Sequence, residues 1–436
     1  DITGTGLTCL FVARPASTGE VSRIVALCHE EGVAIVPQGG NSNVCHMAVP
    51  TEARPTILLS LSRLNRILEI NPERGTATVE AGCIMEVLQN AVAEHDLVFA
   101  PDWGARGTAT VGGAVATNGG GLNVLRFGTT REQVLGVEVV MADGRIWNGL
   151  RALIKDNSGY DLKQLFIGSE GTLGIITKLT FRLHPAQPHV RSMFASLCDA
   201  SRLMEFLAKA RSLGGEKLTA FELLPGLGVE KALGRYPDLT RPCETQSDWY
   251  VLLRMADRQG VDEILTALFE AGFESEIIDD AVMASSEAQE TNLWEIREQM
   301  IPHQYFGAYK MVKWDVSVPV DQIMAFLASA ETAIAEVDPM AFTYAVGHVG
   351  DGNIHLSAYI EKTEAAERVA PLIYDRIDAL VWHYGGSIVA EHGVGSLYRD
   401  RVRNQKEPLE YEMQQRLKAC FDPTGLFNPG KLVNMY

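Results

Sequence analysis

Apolar positions along the first half of the chain alternate between helical and strand spacing. Ser17-Thr18-Gly19-Glu20 reads as a capping box, with Val21, Ile24, Val25 and Cys28 following at helical spacing and Gly32 closing the helix. Val33–Val36 predicts a short buried strand, ended by Pro37 and the turn Gly39-Gly40-Asn41. Ile57–Leu61 and Thr76–Val79 predict further strands, and a helix is expected over about 84–95. Val134–Met141, the Asp143-Gly144 turn and Arg145–Trp147 form an expected hairpin, and Ile175–Leu183 a further strand. Two prolines in His184-Pro185-Ala186-Gln187-Pro188 mark a boundary. Beyond it, helices over about 200–213, 260–271 and 321–336 alternate with strands over about 220–224, 249–255 and 312–318. Helices over about 364–383 and 409–421 complete an α+β pattern.

Composition narrows the class. A chain of 436 residues with 46% hydrophobic residues has material for two or three domains. Its net charge of −17 argues against nucleic acid and against a polybasic grip on anionic lipid. No apolar run of membrane-spanning length occurs, and no signal peptide is expected. The seven cysteines (9, 28, 45, 83, 198, 243 and 420) never form C-x-x-C and read as reduced thiols of a cytoplasmic-type compartment.

Candidate chemistry concentrates in three places. In Gly347-His348-Val349-Gly350-Asp351-Gly352-Asn353-Ile354-His355, the Asp351-Gly352 pair is a two-residue hairpin signal. A hairpin symmetric about it pairs 350 with 353, 349 with 354 and His348 with His355, placing two imidazoles opposite each other to grip one metal ion. Glu391-His392-Gly393-Val394-Gly395, a glycine-loosened loop, offers a third ligand and a spare histidine, as an open catalytic site requires. The plainer reading of the hairpin is a turn with two solvent-facing histidines. The glycine-rich run 104–121 offers backbone N–H groups as an anion nest, with a flexible linker as the competing reading, and a second glycine-rich element, 168–174, leads into the strand Ile175–Leu183. No G-x-G-x-x-G follows a strand, so a Rossmann dinucleotide site is not indicated.

Taken in order, these motifs resemble the FAD-linked 2-hydroxyacid dehydrogenases of the vanillyl-alcohol-oxidase/PCMH flavoprotein superfamily, D-2-hydroxyglutarate and D-lactate dehydrogenases above all. The first-half motifs are Val36-Pro37-Gln38-Gly39-Gly40-Asn41, Gly112-Gly113, Ala116–Gly121, Arg126-Phe127-Gly128, Lys155–Leu162 and Phe166–Gly174. Gly347–His355, Glu391–Gly395 and Asn428-Pro429-Gly430-Lys431 carry the second half. The resemblance implies a PCMH-type FAD-binding domain of two α/β subdomains over 1–185, followed by an FAD-linked oxidase C-terminal α+β domain. Within the latter it implies a cap or substrate region over 186–335 and a C-terminal segment, 336–436, folding back on the flavin.

The resemblance also implies roles. FAD binds without a covalent link, its pyrophosphate on Gly39–Asn43 and Gly112–Asn118, and His46 is the nearest candidate for an attachment that would overturn this. The implied FAD residues are Pro37, Gly39, Gly40, Asn41, Ser42, Asn43, Pro101, Thr110, Gly112, Gly113, Thr117, Asn118, Gly121, Gly128, Glu170, Gly171, Ile175 and Asn428. His348, His355 and Glu391 map onto ligands of a divalent metal, zinc or similar, and His392 onto the general base. Arg297, Lys313 and Ser357 map onto the substrate pocket. Without the resemblance, Arg297 reads as a helical ion pair with Glu295 or Glu298 and Lys313 as an edge-strand lysine, with Lys310 close enough to be confused with it. Two departures bear on the substrate: Ile301 stands where 2-hydroxyglutarate enzymes carry Thr, and Ser357 where they usually carry Asn. Both put the grip on a second carboxylate in doubt and keep lactate open. The expected reaction is oxidation of a D-2-hydroxy acid to the 2-oxo acid, with electrons passing to an electron-transfer flavoprotein, a quinone or another non-oxygen acceptor. A cytoplasmic location is expected, or the mitochondrial matrix if the source is eukaryotic, and a homodimer is left open. The competing readings are a non-redox flavoprotein transferase of the alkyl-glycerone-phosphate synthase type and a metal hydrolase on the same His-His-Glu set.

Overall fold

The computed structural model describes residues 7–50, 54–300 and 304–435. Two compact units emerge: Asp1–Gly121 with Phe127–Ala186 and Glu391–Tyr436, and Leu122–Arg126 with Gln187–Ala390.

In the first unit, Ser17 caps the helix Thr18–Glu31 by accepting from the Glu20 N–H, and Gly32 ends it in the left-handed region at φ 65°. The apolar stripe Val21, Val25 and Cys28 is buried. The parallel strands Val12–Ala13, Thr56–Ser60 and Ala34–Gln38 form one sheet. The C-terminal tail extends it, with Ile35 bridging Phe427 in parallel and accepting from the Asn428 N–H. An antiparallel sheet runs in the order Ile67–Asn71, Thr76–Glu80, Ile175–Arg182, Val134–Val140, Ile146–Gly149. The expected hairpin at Asp143-Gly144 is its last pair, Val140 facing Ile146.

The second unit is built on a seven-stranded antiparallel sheet. Its order is Ile278–Met283, His189–Leu197, Trp249–Asp257, Leu218–Pro225, Phe342–His348, Asn353–Glu361, Tyr309–Ser317. Both faces are covered. Phe221 packs against Phe206 of the helix Leu203–Gly214. On the opposite face, Val229 and Ala232 of the helix Gly226–Arg235 and Leu293, Trp294 and Ile296 of the helix Glu287–Glu298 share a core with Phe194, Leu252, Tyr344 and Val346. That second face carries the polar groups of interest, because residues directly paired across strands share a face: Glu222 with His348, His355 with Asp315, Ser357 with Lys313.

The histidine hairpin has a different register from the symmetric one expected. His348 pairs with Asn353, Gly347 with Ile354 and Val346 with His355. A two-residue turn of the expected type needs positive φ at both central positions, whereas here Gly352 (φ 88°) has it and Asp351 does not. Residues 349–352 instead make a wider turn, pinned by the Gly350 N–H to the Phe221 carbonyl, 3.2 Å. The shift is two residues, an even number, so both imidazoles stay on one face as diagonal neighbours.

Candidate active site

Each imidazole of the histidine hairpin is backed by an acid. His348 Nδ1 lies 2.7 Å from Glu222 Oε1, and His355 Nδ1 lies 3.4 Å from Asp315 Oδ1. The two rings stand edge to face with centroids 5.4 Å apart, and one ring nitrogen of each falls within 4.8 Å of the other. Holding Nδ1 on a carboxylate selects the tautomer and turns Nε2 the other way, which is how metal-ligating histidines are oriented. These residues suit a divalent cation. Asp315 is steadied in turn by the Asn353 amide, 2.8 Å.

Glu222 went unnoticed in the sequence. It is 1% exposed and accepts from Arg297 Nε at 3.1 Å as well as from His348. Burial alone would raise its carboxyl, but the charges and hydrogen bonds of His348 and Arg297 bring it down to about 2. Arg297 thus reaches from the helix Glu287–Glu298 to Glu222 on the sheet, where spacing alone suggested Glu295 or Glu298. Lys313 is exposed on the edge strand Tyr309–Ser317, directly across from the buried Ser357. Lys310 instead pairs with Glu367, 2.5 Å, which separates the two lysines. Ile301 lies outside the described residues.

The Glu391-His392 segment belongs to the first unit. Glu391 Oε2 accepts from the Gly121 N–H at 3.0 Å, and its Oε1 is 3.8 Å from His392 Nε2. The preceding residue, Ala390, donates its N–H to the Asp315 carbonyl, 2.8 Å, so the chain leaves the strand of Asp315 immediately before Glu391. The loop is tethered, not loosened, by its glycines. Gly395 (φ 54°) sits against the Cys45 carbonyl where a Cβ would collide, and the Cys45 thiol donates to the His392 carbonyl, 3.3 Å.

Glu170 fastens the same loop. Its carboxylate accepts from the N–H groups of Val394 (2.6 Å) and Gly395 (2.8 Å). Asn428 donates to the Glu170 carbonyl (2.7 Å) and accepts from Lys431 Nζ (2.6 Å). Burial raises the Glu170 carboxyl to about 7, against the lowering pull of those two N–H groups and of Lys431. A folded value above the ordinary 4.5 gives stability that is complete below about 4.5 and lost as pH rises through about 7. Wild-type stability is therefore expected to drop by about 3 kcal/mol across that window from this group, and Glu170→Gln to flatten the drop in thermal melts at stepped pH. Equal slopes in the two proteins contradict the assignment.

The glycine loops converge as well. Gly39 packs on the Thr110 side chain and Gly40 on the Thr108 carbonyl. Thr110 caps the helix Val111–Thr117 by accepting from the Gly113 N–H, and Asn118 ends it at φ 51°, its Oδ1 accepting from Arg131 N–H and Thr129 Oγ1. Gly171 rests on Pro37, Gly112 on Ala81, and Thr117 bonds back to the Gly113 carbonyl. Asn43 Oδ1 accepts from the Met47 N–H, which orders the loop after Ser42. Pro101 accepts from Gln89, Gly128 faces Glu132 of its own turn, and Ile175 opens its strand. Burial, followed by the charge of Lys431, lowers the His46 pKa.

Residues 186–432 match the family "FAD linked oxidases, C-terminal domain", and residues 9–149 match "FAD binding domain". The chain belongs to the FAD-linked oxidases. A mitochondrial D-2-hydroxyglutarate dehydrogenase of Bos taurus is 36% identical over 426 residues, 96% of this chain and 76% of the relative. A D-2-hydroxyglutarate dehydrogenase of Xanthomonas citri is 35% identical over 98% of this chain and 90% of its own length. A D-2-hydroxyglutarate–pyruvate transhydrogenase of Saccharomyces cerevisiae is 33% identical over 97% and 86%. Among solved structures, p-cresol methylhydroxylase (TM-score 0.74, 16% identity, 97% of this chain and 88% of that one) shares the fold. So does alkyldihydroxyacetonephosphate synthase (0.72, 19%, 96% and 75%). This FAD-linked oxidase is an FAD-dependent oxidoreductase with the expected α+β, PCMH-like fold. Among the described residues, no helix is long and apolar enough to cross a membrane.

Proposed function

We propose that this FAD-linked oxidase oxidises a D-2-hydroxy acid, a D-2-hydroxyglutarate-like dicarboxylate first, to the 2-oxo acid, with a divalent metal held by His348, His355 and Glu391. The supporting observation is the pair of acid-backed imidazoles, His348 on Glu222 and His355 on Asp315, side by side on one sheet face. A metal there, zinc first, supplies positive charge that lowers the pKa of the substrate hydroxyl. Bound FAD, cradled by the glycine loops of the first unit, supplies the hydride acceptor. His392 takes the hydroxyl proton as the α-hydrogen leaves with its electron pair, and the carbon–oxygen bond becomes the carbonyl. The Arg297 guanidinium holds a substrate carboxylate by its planar fork. Electrons then pass to a protein or quinone acceptor, and the acidic surface excludes neither.

The reading favours a dicarboxylate over lactate because Lys313 stands opposite Ser357, a cation beside the hydroxyl that replaces the usual amide. The names of the relatives point the same way. Lys313→Ala is expected to raise KM for D-2-hydroxyglutarate by about tenfold, the cost of one exposed charge-assisted contact, while D-lactate turnover is unmoved. Equal effects on both substrates contradict Lys313 as the distal group. The function itself is tested by dye reduction with D- and L-2-hydroxyglutarate, malate and lactate. Turnover confined to D-isomers supports it; a flavin-loaded protein that reduces no dye with any of them overturns it in favour of non-redox chemistry.

A further inference from the structure

We propose that Glu222 is a positioning residue for two groups at once, fixing the ring of the metal ligand His348 and the guanidinium of Arg297. The inference rests on the function proposed above and deepens it. Glu222 lies mid-strand in Leu218–Pro225, a run otherwise lacking charge, directly across from His348. A carboxylate buried to that degree is costly unless both oxygens are engaged. Here each oxygen has its own functional partner, Oε1 the His348 Nδ1 at 2.7 Å and Oε2 the Arg297 Nε at 3.1 Å.

The two bonds act differently. On His348, the bond sets the tautomer and the direction of Nε2. On Arg297, engaging Nε fixes the guanidinium plane and hence where Nη1 and Nη2 point. Arg297 comes from the helix Glu287–Glu298, whose Leu293 and Trp294 are buried against the same sheet face, so its backbone is also fixed. The distance between the metal ligand and the carboxylate-binding cation is thereby set through one side chain. Asp315 is the comparison: it faces His355 at 3.4 Å and is steadied by the Asn353 amide, 2.8 Å.

The experiment uses FAD-loaded Glu222→Gln and Asp315→Asn beside wild type, reading the zinc dissociation constant by chelator competition and KM for D-2-hydroxyglutarate at saturating zinc. Glutamine keeps the shape but presents an N–H to one of two donors. The expected result for Glu222→Gln is zinc held about 10- to 100-fold more weakly together with a KM raised about tenfold. Asp315→Asn is expected to move the zinc constant alone. A Glu222→Gln protein with wild-type flavin content, zinc constant and KM overturns the proposal, as does one in which only the melting temperature falls. If Glu222→Gln does not load flavin, Glu222→Asp keeps the charge at shorter reach. One of its two constants should then move about tenfold, and both at wild type overturns the proposal. A wild-type protein that binds no zinc defeats the metal reading and the His348 half, while KM still decides the Arg297 half.

Discussion

Replacing His392 by alanine is expected to slow reduction of the bound flavin by a D-2-hydroxy acid by about 10²- to 10⁴-fold, the usual contribution of a positioned general base. The loop that carries it should survive the change. The Cys45 thiol holds the His392 carbonyl and Glu170 holds the N–H groups of Val394 and Gly395, and none of these bonds uses the imidazole. The His392 side chain is 40% exposed, so its removal leaves no packed cavity. FAD content should therefore match wild type. Rapid-mixing measurement of flavin bleaching checks this, and a wild-type rate in the variant removes His392 from the role.

His348→Ala is expected to lose both metal and activity, with zinc retention weakened by at least about 100-fold, more than loss of an outer-shell partner costs. It should also destabilise the fold. The Glu222 oxygen that accepts from His348 would stay buried without that donor, at a cost of about 1–3 kcal/mol. Metal analysis of the purified variant and its melting temperature read the two effects separately. Stoichiometric zinc in His348→Ala contradicts the ligand assignment, whereas zinc loss without the drop in melting temperature faults only the account of Glu222.

The helix after Ser17 and the hairpin at Asp143-Gly144 were legible because their signals are local: a side-chain cap, a left-handed glycine, a tight turn. The histidine hairpin was only half legible. Its face could be read, but its register depends on Gly350 meeting Phe221, a contact distant in the chain. The helix Gly226–Arg235 was missed because Pro225-Gly226-Leu227-Gly228 carries turn residues, and packing on the sheet overrides them. Glu222 and Glu170 were the main omissions as positioning groups. Each is one acid in an apolar or glycine-rich run, and its partners arrive from elsewhere: Arg297 and His348 for the first, Val394 and Gly395 for the second. The available signal was the charge in Leu218–Pro225, since a strand buried on both faces tolerates an acid only when it is paired.

The central claim is a metal-dependent hydride transfer from a D-2-hydroxy acid to flavin, and anaerobic single-turnover bleaching tests it most directly. Flavin-loaded protein would be mixed with D-2-hydroxyglutarate as purified, after metal stripping, and after zinc is returned. The account predicts bleaching in the first, its loss in the second and its return in the third, with the L-isomer inert throughout. Bleaching at the same rate after stripping, or none with any D-2-hydroxy acid, would contradict it.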